Sequence, residues 1–498
     1  PEEALATGYC DYVVRGEGEE ITLKLCQAIR GNGDATQLLG LSFIKEGKII
    51  NNPEAPLIPD INTIPPYPYH LFNHPKYDMG FLTSSRGCPY RCSYCSQRLL
   101  TGTTYRYKSA DYIVQELDIV VNKFGQKAVV FYDDNFCLKP RRVHELCDKI
   151  IERGLHKKVK LSVQTRADNV VIHGGKNLVK HMAEAGFTHM GFGLETGIQR
   201  LADLSRKDQT VQIHFEALSL CRKYGIDVSF FMIFGFPTET ATDRLKTFKL
   251  VRKSAAVATK YNNMIPYPGT PLYNELKNSG RVVVTKNWGN FNSTLAATRS
   301  IFDKTPLPYV PETCSEWELK RDIIRYNYSS YINMRAIWRI LTGKKGSSWF
   351  LLPEKWYLNI KDLRNLTRLT FNVIINLFMA NLPLWISEPI MYSYDPSMKK
   401  RKRIINYDPN SYEIKDWDKD ETKKITKRLK IAKDQELKLE TEYTFTYSDA
   451  LLRAQKFVEK GTIGEIESIV LTKKQLNWRH KNIQLENFSL WDFLKILK

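Results

Sequence analysis

The stretch Cys88-Pro89-Tyr90-Arg91-Cys92-Ser93-Tyr94-Cys95 decides how this chain is read. It sets three thiols close together, directly after the apolar run Met79 to Thr83. With three and then two residues between them, the sulfurs can turn toward one point, and thiolates are the soft ligands that iron–sulfur clusters favour. Three ligands leave one iron of a four-iron cluster open to chelate amino and carboxylate groups, whereas a structural zinc site wants a fourth protein ligand. No further Cys or His follows at close spacing. Spacing alone still leaves a zinc loop, or three unrelated buried thiols, as alternatives.

The pattern C-x-x-x-C-x-aromatic-C resembles the signature of the radical S-adenosylmethionine (SAM) enzymes. The resemblance implies a [4Fe-4S] cluster held by Cys88, Cys92 and Cys95. It implies one-electron cleavage of SAM to methionine and a 5′-deoxyadenosyl radical, with Tyr94 near the adenine. A one-electron donor such as flavodoxin or ferredoxin would be the partner.

Outward from the loop, short apolar runs alternate with helical ones from Met79 to about Tyr273, as strand–helix units do. Six strands are expected, at Gly80–Ser84, Ala128–Tyr132, Lys160–Gln164, His189–Leu194, Val228–Phe234 and Tyr261–Ile265. Helices are expected near 109–124, 140–153, 175–185, 208–224 and 240–255, with Ser109 and Asp208 as caps and Gly125, Gly154, Gly186 and Gly225 at their ends. The fold class is α/β: a partial (β/α)6, TIM-like radical SAM barrel over 77–285, then a helical region and a small α+β C-terminal segment.

Chemistry in such barrels collects at the carboxyl ends of the strands. Asp133-Asp134-Asn135 closes the second, and "VVFYDDNF" resembles the family motif that contacts SAM, which nominates Asp134. The third closes with Gln164-Thr165-Arg166; an Arg there can fork onto a carboxylate, and the resemblance places Arg166, with Gln164, facing SAM or substrate. "GFGLETG" closes the fourth and resembles a recurrent family motif, which nominates Glu195. "FGFPTET" closes the fifth; Gly235 would leave room for a flat group such as adenine, and Thr238 would cap the next helix. "PYPGTPLYNELKNSG" extends the resemblance to about residue 285.

Upstream, Tyr12-Val13-Val14 reads as a strand, Gly16-Glu17-Gly18 as an acidic strand-to-helix turn, and Ile21 to Ile29 as an amphipathic helix. The Pro-rich run Pro53 to Pro68 reads as a linker (51–76). "DYVVRGEGEE", "LLGLSFIKEGKII" and "IPDINTIPPYPYHLF" resemble the end of the cobalamin-binding domain of B12-dependent radical SAM enzymes, so residues 1–50 are read as its C-terminal remnant. Cobalamin is thereby implied for the parent protein, although the Asp-x-His-x-x-Gly signature is absent from this chain. With Pro1-Glu2-Glu3 at its start, the chain is read as an N-terminally truncated fragment.

Residues 286–395 read as a helical accessory domain, with Thr370 to Ile386 apolar but interrupted by Asn372, Asn376, Asn381 and Pro383, which excludes a full membrane span. A basic linker (396–417) carries Lys399 to Arg403, a solvated run compatible with shallow membrane contact. Residues 418–498 resemble a fragment of glucose-fructose oxidoreductase/inositol dehydrogenase-like enzymes, without their glycine-rich fingerprint or a clear Glu-Lys-Pro motif.

The 74 basic and 54 acidic residues give a net charge of +20, which favours anionic partners without choosing one; no nucleic acid is expected. Nine cysteines without a disulfide spacing fit a reducing, cytoplasmic compartment. The function expected is radical SAM hydrogen abstraction from the carbon of a small-molecule or lipid-like substrate, as a cobalamin-dependent methyltransferase or cyclase. The alternatives are a nicotinamide-dependent oxidoreductase and a non-catalytic, metal-containing RNA- or membrane-binding module.

Overall fold

The computed structural model describes residues 1–31, 33–72, 79–331, 360–405 and 407. The chain divides into two compact units, Pro1–Glu413 and Ile414–Lys498. The second, which holds the whole of the oxidoreductase-like stretch, lies outside the described residues.

Three N-terminal strands, β1 (Tyr12–Val14), β2 (Leu41–Lys45) and β3 (Lys48–Asn51), pair antiparallel in that order. The helix Gly18–Arg30 packs Leu25 against Leu41 and Phe43 of this sheet. The Pro-rich run that follows is not a free linker: Ile58 and Ile61 are buried.

The barrel strands are β4 (Phe81–Leu82), β7 (Ala128–Phe131), β8 (Lys160–Thr165), β9 (Phe187–Glu195), β10 (Asp227–Phe234) and β11 (Ala258–Asn263), with the short pair β5 (Ser85–Arg86) and β6 (Arg106–Tyr107) lying between the first two in sequence. Each barrel strand runs parallel to the next in chain order, β4-β7-β8-β9-β10-β11. This is the partial (β/α)6 barrel expected from the alternating pattern. Its principal core combines Val129, Phe131, Leu161, Val163, Met190, Phe192 and Phe230 with helix residues such as Leu117, Leu146, Met182 and Ala217. Continuous apolar runs are what strands packed on both faces require.

Several boundaries differ from expectation for local reasons. The first strand stops at Leu82, because β5 turns away to pair antiparallel with β6 around the thiol loop. Asp208 does not cap its helix: it sits at φ 53°, and Thr210 two residues on accepts the Ile213 amide. Thr238 likewise does not cap. Thr240 does, in a capping box with Asp243. Ser109 caps as expected, and the four helix-ending glycines all adopt positive φ.

The helical region covers the open edge of β11. Asn327 of the helix Glu316–Tyr331 accepts the Tyr261 amide at 3.0 Å and donates to the Tyr261 carbonyl at 2.7 Å, using the groups an edge strand leaves unpaired. The helices Ile360–Asn381 and Leu384–Tyr394 follow, broken by Pro383, and none of the described helices is long and apolar enough to cross a membrane. The basic run is not simply solvated: Arg401 is buried against Glu316, and one nitrogen of Arg403, Nη2, donates to both carboxylate oxygens of Glu318 at 2.7 and 2.6 Å.

Candidate functional site

The thiol loop lies at the carboxyl ends of the barrel strands and is pinned by backbone bonds at three points. The Cys88 amide donates to Gly102 (3.2 Å), the Ser93 amide to Ser205 (2.9 Å), and the Leu272 amide to the Ser93 carbonyl (3.1 Å). All three thiols are half-buried and unbridged. Burial pushes Cys88 up to about 11, and Cys92 adds to the rise; burial and Cys92 push Cys95 up to about 12. Cys88 and Cys95 therefore hold their protons at neutral pH, and a bound metal would displace them.

Among the described residues no three His, Cys, Asp or Glu side chains are already drawn into a metal-holding arrangement. The loop offers a donor set rather than a closed cage. That set fits an iron–sulfur cluster: three soft thiols within electrostatic reach of one another, with the Arg166 guanidinium approaching the Cys92 sulfur at 4.0 Å.

Arg166, at the end of β8, is buried and fully employed. Its guanidinium donates to Asp168 at 3.2 and 2.8 Å and to the Lys207 carbonyl at 2.9 Å, and it lies 3.4 Å from the Tyr90 ring centroid. Burial pushes the Asp168 carboxyl up, but Arg166 outweighs it and holds the carboxyl below its usual value. Tyr90 in turn donates to Asn169 at 3.0 Å, and Asn169 to Asn135 at 3.0 Å. The ends of β7 and β8 are thus tied to the thiol loop through one polar network.

Asp133 and Asp134 divide the work at the end of β7. Asp133 accepts from the Ser84 amide (2.6 Å) and the Ser84 and Ser85 hydroxyls. Asp134 accepts the Gly87 amide at 3.1 Å and the Thr101 hydroxyl at 2.8 Å. Burial raises the Asp134 carboxyl above its usual value against those two bonds. Asp134 therefore fastens the base of the thiol loop. Gly87, at that base, is at φ 87°, and a Cβ there would overlap the Thr104 carbonyl oxygen.

Glu195 ends β9 at φ 63° and pairs with Lys207 at 3.1 Å. Gly193 allows this, since a Cβ there would collide with the Glu195 carboxylate. Gln164 is half-buried one strand away, near Gly191. Tyr94 packs edge-on to Phe236 at 5.9 Å; burial, then Glu195, Cys92 and Cys95, raise its phenol. Gly235 is placed otherwise than expected. The space over it is filled: a Cβ there would lie 3.1 Å from Leu319 and 3.5 Å from Met264, so a flat ligand has no room at that face.

Sequence reasoning missed Asp168, Lys207, Tyr90 and the Arg86–Glu17 pair (3.0 Å), although Tyr90 lay inside the motif itself. It also missed a cavity of about 1290 Å³ beside β4, lined by Tyr67, Tyr69, Phe81, Tyr132, Arg86 and Lys108.

Residues 82–251 match the family model of the Radical SAM superfamily. Over 288 residues the chain is 31% identical to an uncharacterized methyltransferase of Pyrococcus horikoshii, covering 57% of this chain and 61% of that protein. It is 27% identical to the anaerobic magnesium-protoporphyrin IX monomethyl ester cyclase of Cereibacter sphaeroides, covering 64% and 53%. It is 26% identical to the hopanoid C-3 methylase of Methylococcus capsulatus, covering 71% and 65%. The chain thus spans about half to two thirds of these relatives. The cobalamin-dependent S-adenosylmethionine radical enzyme OxsB, solved with aqua-cobalamin bound, superposes with a TM-score of 0.53 at 14% identity, covering 96% of this chain and 68% of that one.

Proposed function

We propose that this radical SAM domain belongs to an enzyme that abstracts hydrogen from a substrate carbon, as a cobalamin-dependent methyltransferase or cyclase. One observation carries the reading: three half-buried thiols pinned at the carboxyl ends of a parallel barrel, beside a buried arginine that reaches the middle sulfur. Bound at Cys88, Cys92 and Cys95, a [4Fe-4S] cluster and SAM supply one-electron reduction and a 5′-deoxyadenosyl radical. The chain's own residues do the positioning. Arg166 lends an N–H to Cys92 and is held still by Asp168. Asp134 fixes the loop base, and Glu195, oriented by Lys207, presents a carboxylate toward the same end of the barrel. Tyr94 and Gln164 line the approach for SAM.

The similar proteins named as methyltransferase, methylase and cyclase support this choice of outcomes. Cobalamin belongs to the parent protein in this reading. Residues 1–60 contain no histidine, so they do not fit a cobalt-ligating site, and no step is assigned to them. The substrate is a small or lipid-like molecule with apolar rings, which the cavity lined by Phe81, Tyr132, Tyr67 and Tyr69 suits. A flavodoxin- or ferredoxin-type donor supplies the electron, and a reducing cytoplasm is the compartment this reading assigns, one that would keep the cysteines unpaired. Membrane contact would rest on Lys399 and Lys400, since Arg401 and Arg403 are spent on Glu316 and Glu318. Residues 418–498 add no dehydrogenase chemistry to the proposal.

The test is anaerobic reconstitution with iron and sulfide, followed by reductant-dependent formation of 5′-deoxyadenosine from SAM. Product from the wild type and none from Cys95→Ala is expected. A chain that takes zinc instead, or a cluster that never cleaves SAM, refutes the reading.

A further inference from the structure

The acidic turn Gly16-Glu17-Gly18 reads in sequence as an ordinary entrance to a helix. In the fold, the Glu17 side chain is only 4% exposed and lies between two arginines that flank the thiol loop on either side. Its Oε1 accepts from Arg86 at 3.0 Å, and its Oε2 from Arg106 at 2.6 Å and from the Ile58 amide at 2.7 Å. Burial pushes this carboxyl up, but the Arg106 bond, the Ile58 amide and Arg86 together hold it below its usual value. Glu19 takes the other arm of Arg86.

Both arginines lead directly to the ligand loop. Arg86 precedes Gly87 and Cys88, and Gly87 cannot shift freely because the Thr104 carbonyl occupies the space beside it. Arg106 donates its second nitrogen to the Thr101 carbonyl at 2.8 Å. The Thr101 hydroxyl donates to Asp134, which accepts the Gly87 amide, and the neighbouring Gly102 carbonyl accepts the Cys88 amide. The bonds close a ring: Glu17, Arg106, Thr101, Asp134, Gly87, Arg86 and back to Glu17. One carboxylate from the N-terminal segment therefore holds both ends of the turn that presents Cys88.

We propose that Glu17 is a positioning residue for the cluster loop, through which the N-terminal segment governs how firmly Cys88 is held. The proposal rests on the radical SAM reading for its purpose, but the clamp itself is a property of the apo chain. A buried carboxylate between two guanidiniums is costly to disturb, because removing it leaves both cations short of a partner. Glu17→Gln keeps the shape and removes the charge.

The first arm labels the apo chain with iodoacetamide and follows each cysteine by mass spectrometry. We expect Cys88 to label about tenfold faster in Glu17→Gln through local opening, while Glu20→Gln, on the exposed side of the same helix, labels like wild type. Cys147 and Cys221, buried in the barrel core, report global unfolding. Should they label faster too, the decision passes to Arg86→Gln, which leaves the Glu17–Arg106 pair intact and is expected to expose Cys88 selectively. The second arm follows iron loss from the reconstituted chain to a chelator, which Glu17→Gln should accelerate by a similar factor. Cys88 labelling within twofold of wild type in a folded variant overturns the proposal. A wild type that takes up no iron overturns the radical SAM reading and leaves the labelling result standing.

Discussion

Replacing Arg166 by methionine tests how much of the fold's stability depends on the arginine above the thiol loop. The guanidinium is buried and makes two hydrogen bonds to Asp168, one to the Lys207 carbonyl and a close contact with the Tyr90 ring. Methionine keeps much of the apolar stem but leaves the Asp168 carboxylate, whose side chain is 12% exposed, without its counter-charge. Breaking a buried pair from one side costs about 3–5 kcal/mol, most of it the stranded charge rather than the lost attraction. Asp168→Asn in the Arg166→Met background should therefore recover about 1–3 kcal/mol, because a neutral amide is cheaper to bury than an unpaired carboxylate. The assay is urea unfolding of the apo protein for wild type, both single variants and the double variant, followed by near-UV circular dichroism. A loss below about 1 kcal/mol for Arg166→Met would place the pair in the range of exposed ion pairs and refute the argument. So would a double variant less stable than Arg166→Met alone.

Glu239 gives a pH dependence elsewhere in the same barrel. Burial raises its carboxyl to about 8 despite nearby Arg244, which also faces Glu318 and Asp322. A raised carboxyl favours folding while protonated, so this contribution is full below about pH 4.5 and is lost as pH rises through about 8. Thermal midpoints measured from pH 5 to 9 should fall for wild type and stay flatter for Glu239→Gln; parallel curves would count against the assignment. At Gly87, where φ is 87° and the Thr104 carbonyl fills the Cβ position, alanine should cost several-fold in reconstituted iron per chain. Gly125→Ala, also at positive φ but with open space around it, is the control and should keep its iron.

What the sequence made legible was local, and what it hid was contributed from a distance. The strands from β7 to β10 could be placed within a few residues because fully buried parallel strands must be apolar runs, bounded by glycines that end the preceding helices at positive φ. The cysteines and Arg166 could be nominated because their chemistry sits on contiguous motifs. The caps were harder. Thr240 outcompetes Thr238 because Asp243 lies three residues beyond it and answers its amide, a reciprocity visible only once the helix start is known. Gly235 misled for a different reason: the opening its missing Cβ suggests is closed by Leu319, a side chain from a helix 84 positions later. Glu17 is the same lesson with a functional consequence. Its partners Arg86 and Arg106 lie 69 and 89 positions away, so nothing near it marks it as more than a turn residue. Yet an exposed turn would not hold its carboxyl below the usual value between two guanidiniums and a backbone amide. The thiol motif sets three sulfurs close together in sequence, while the rigidity with which Cys88 is held is set by the segment that precedes the barrel.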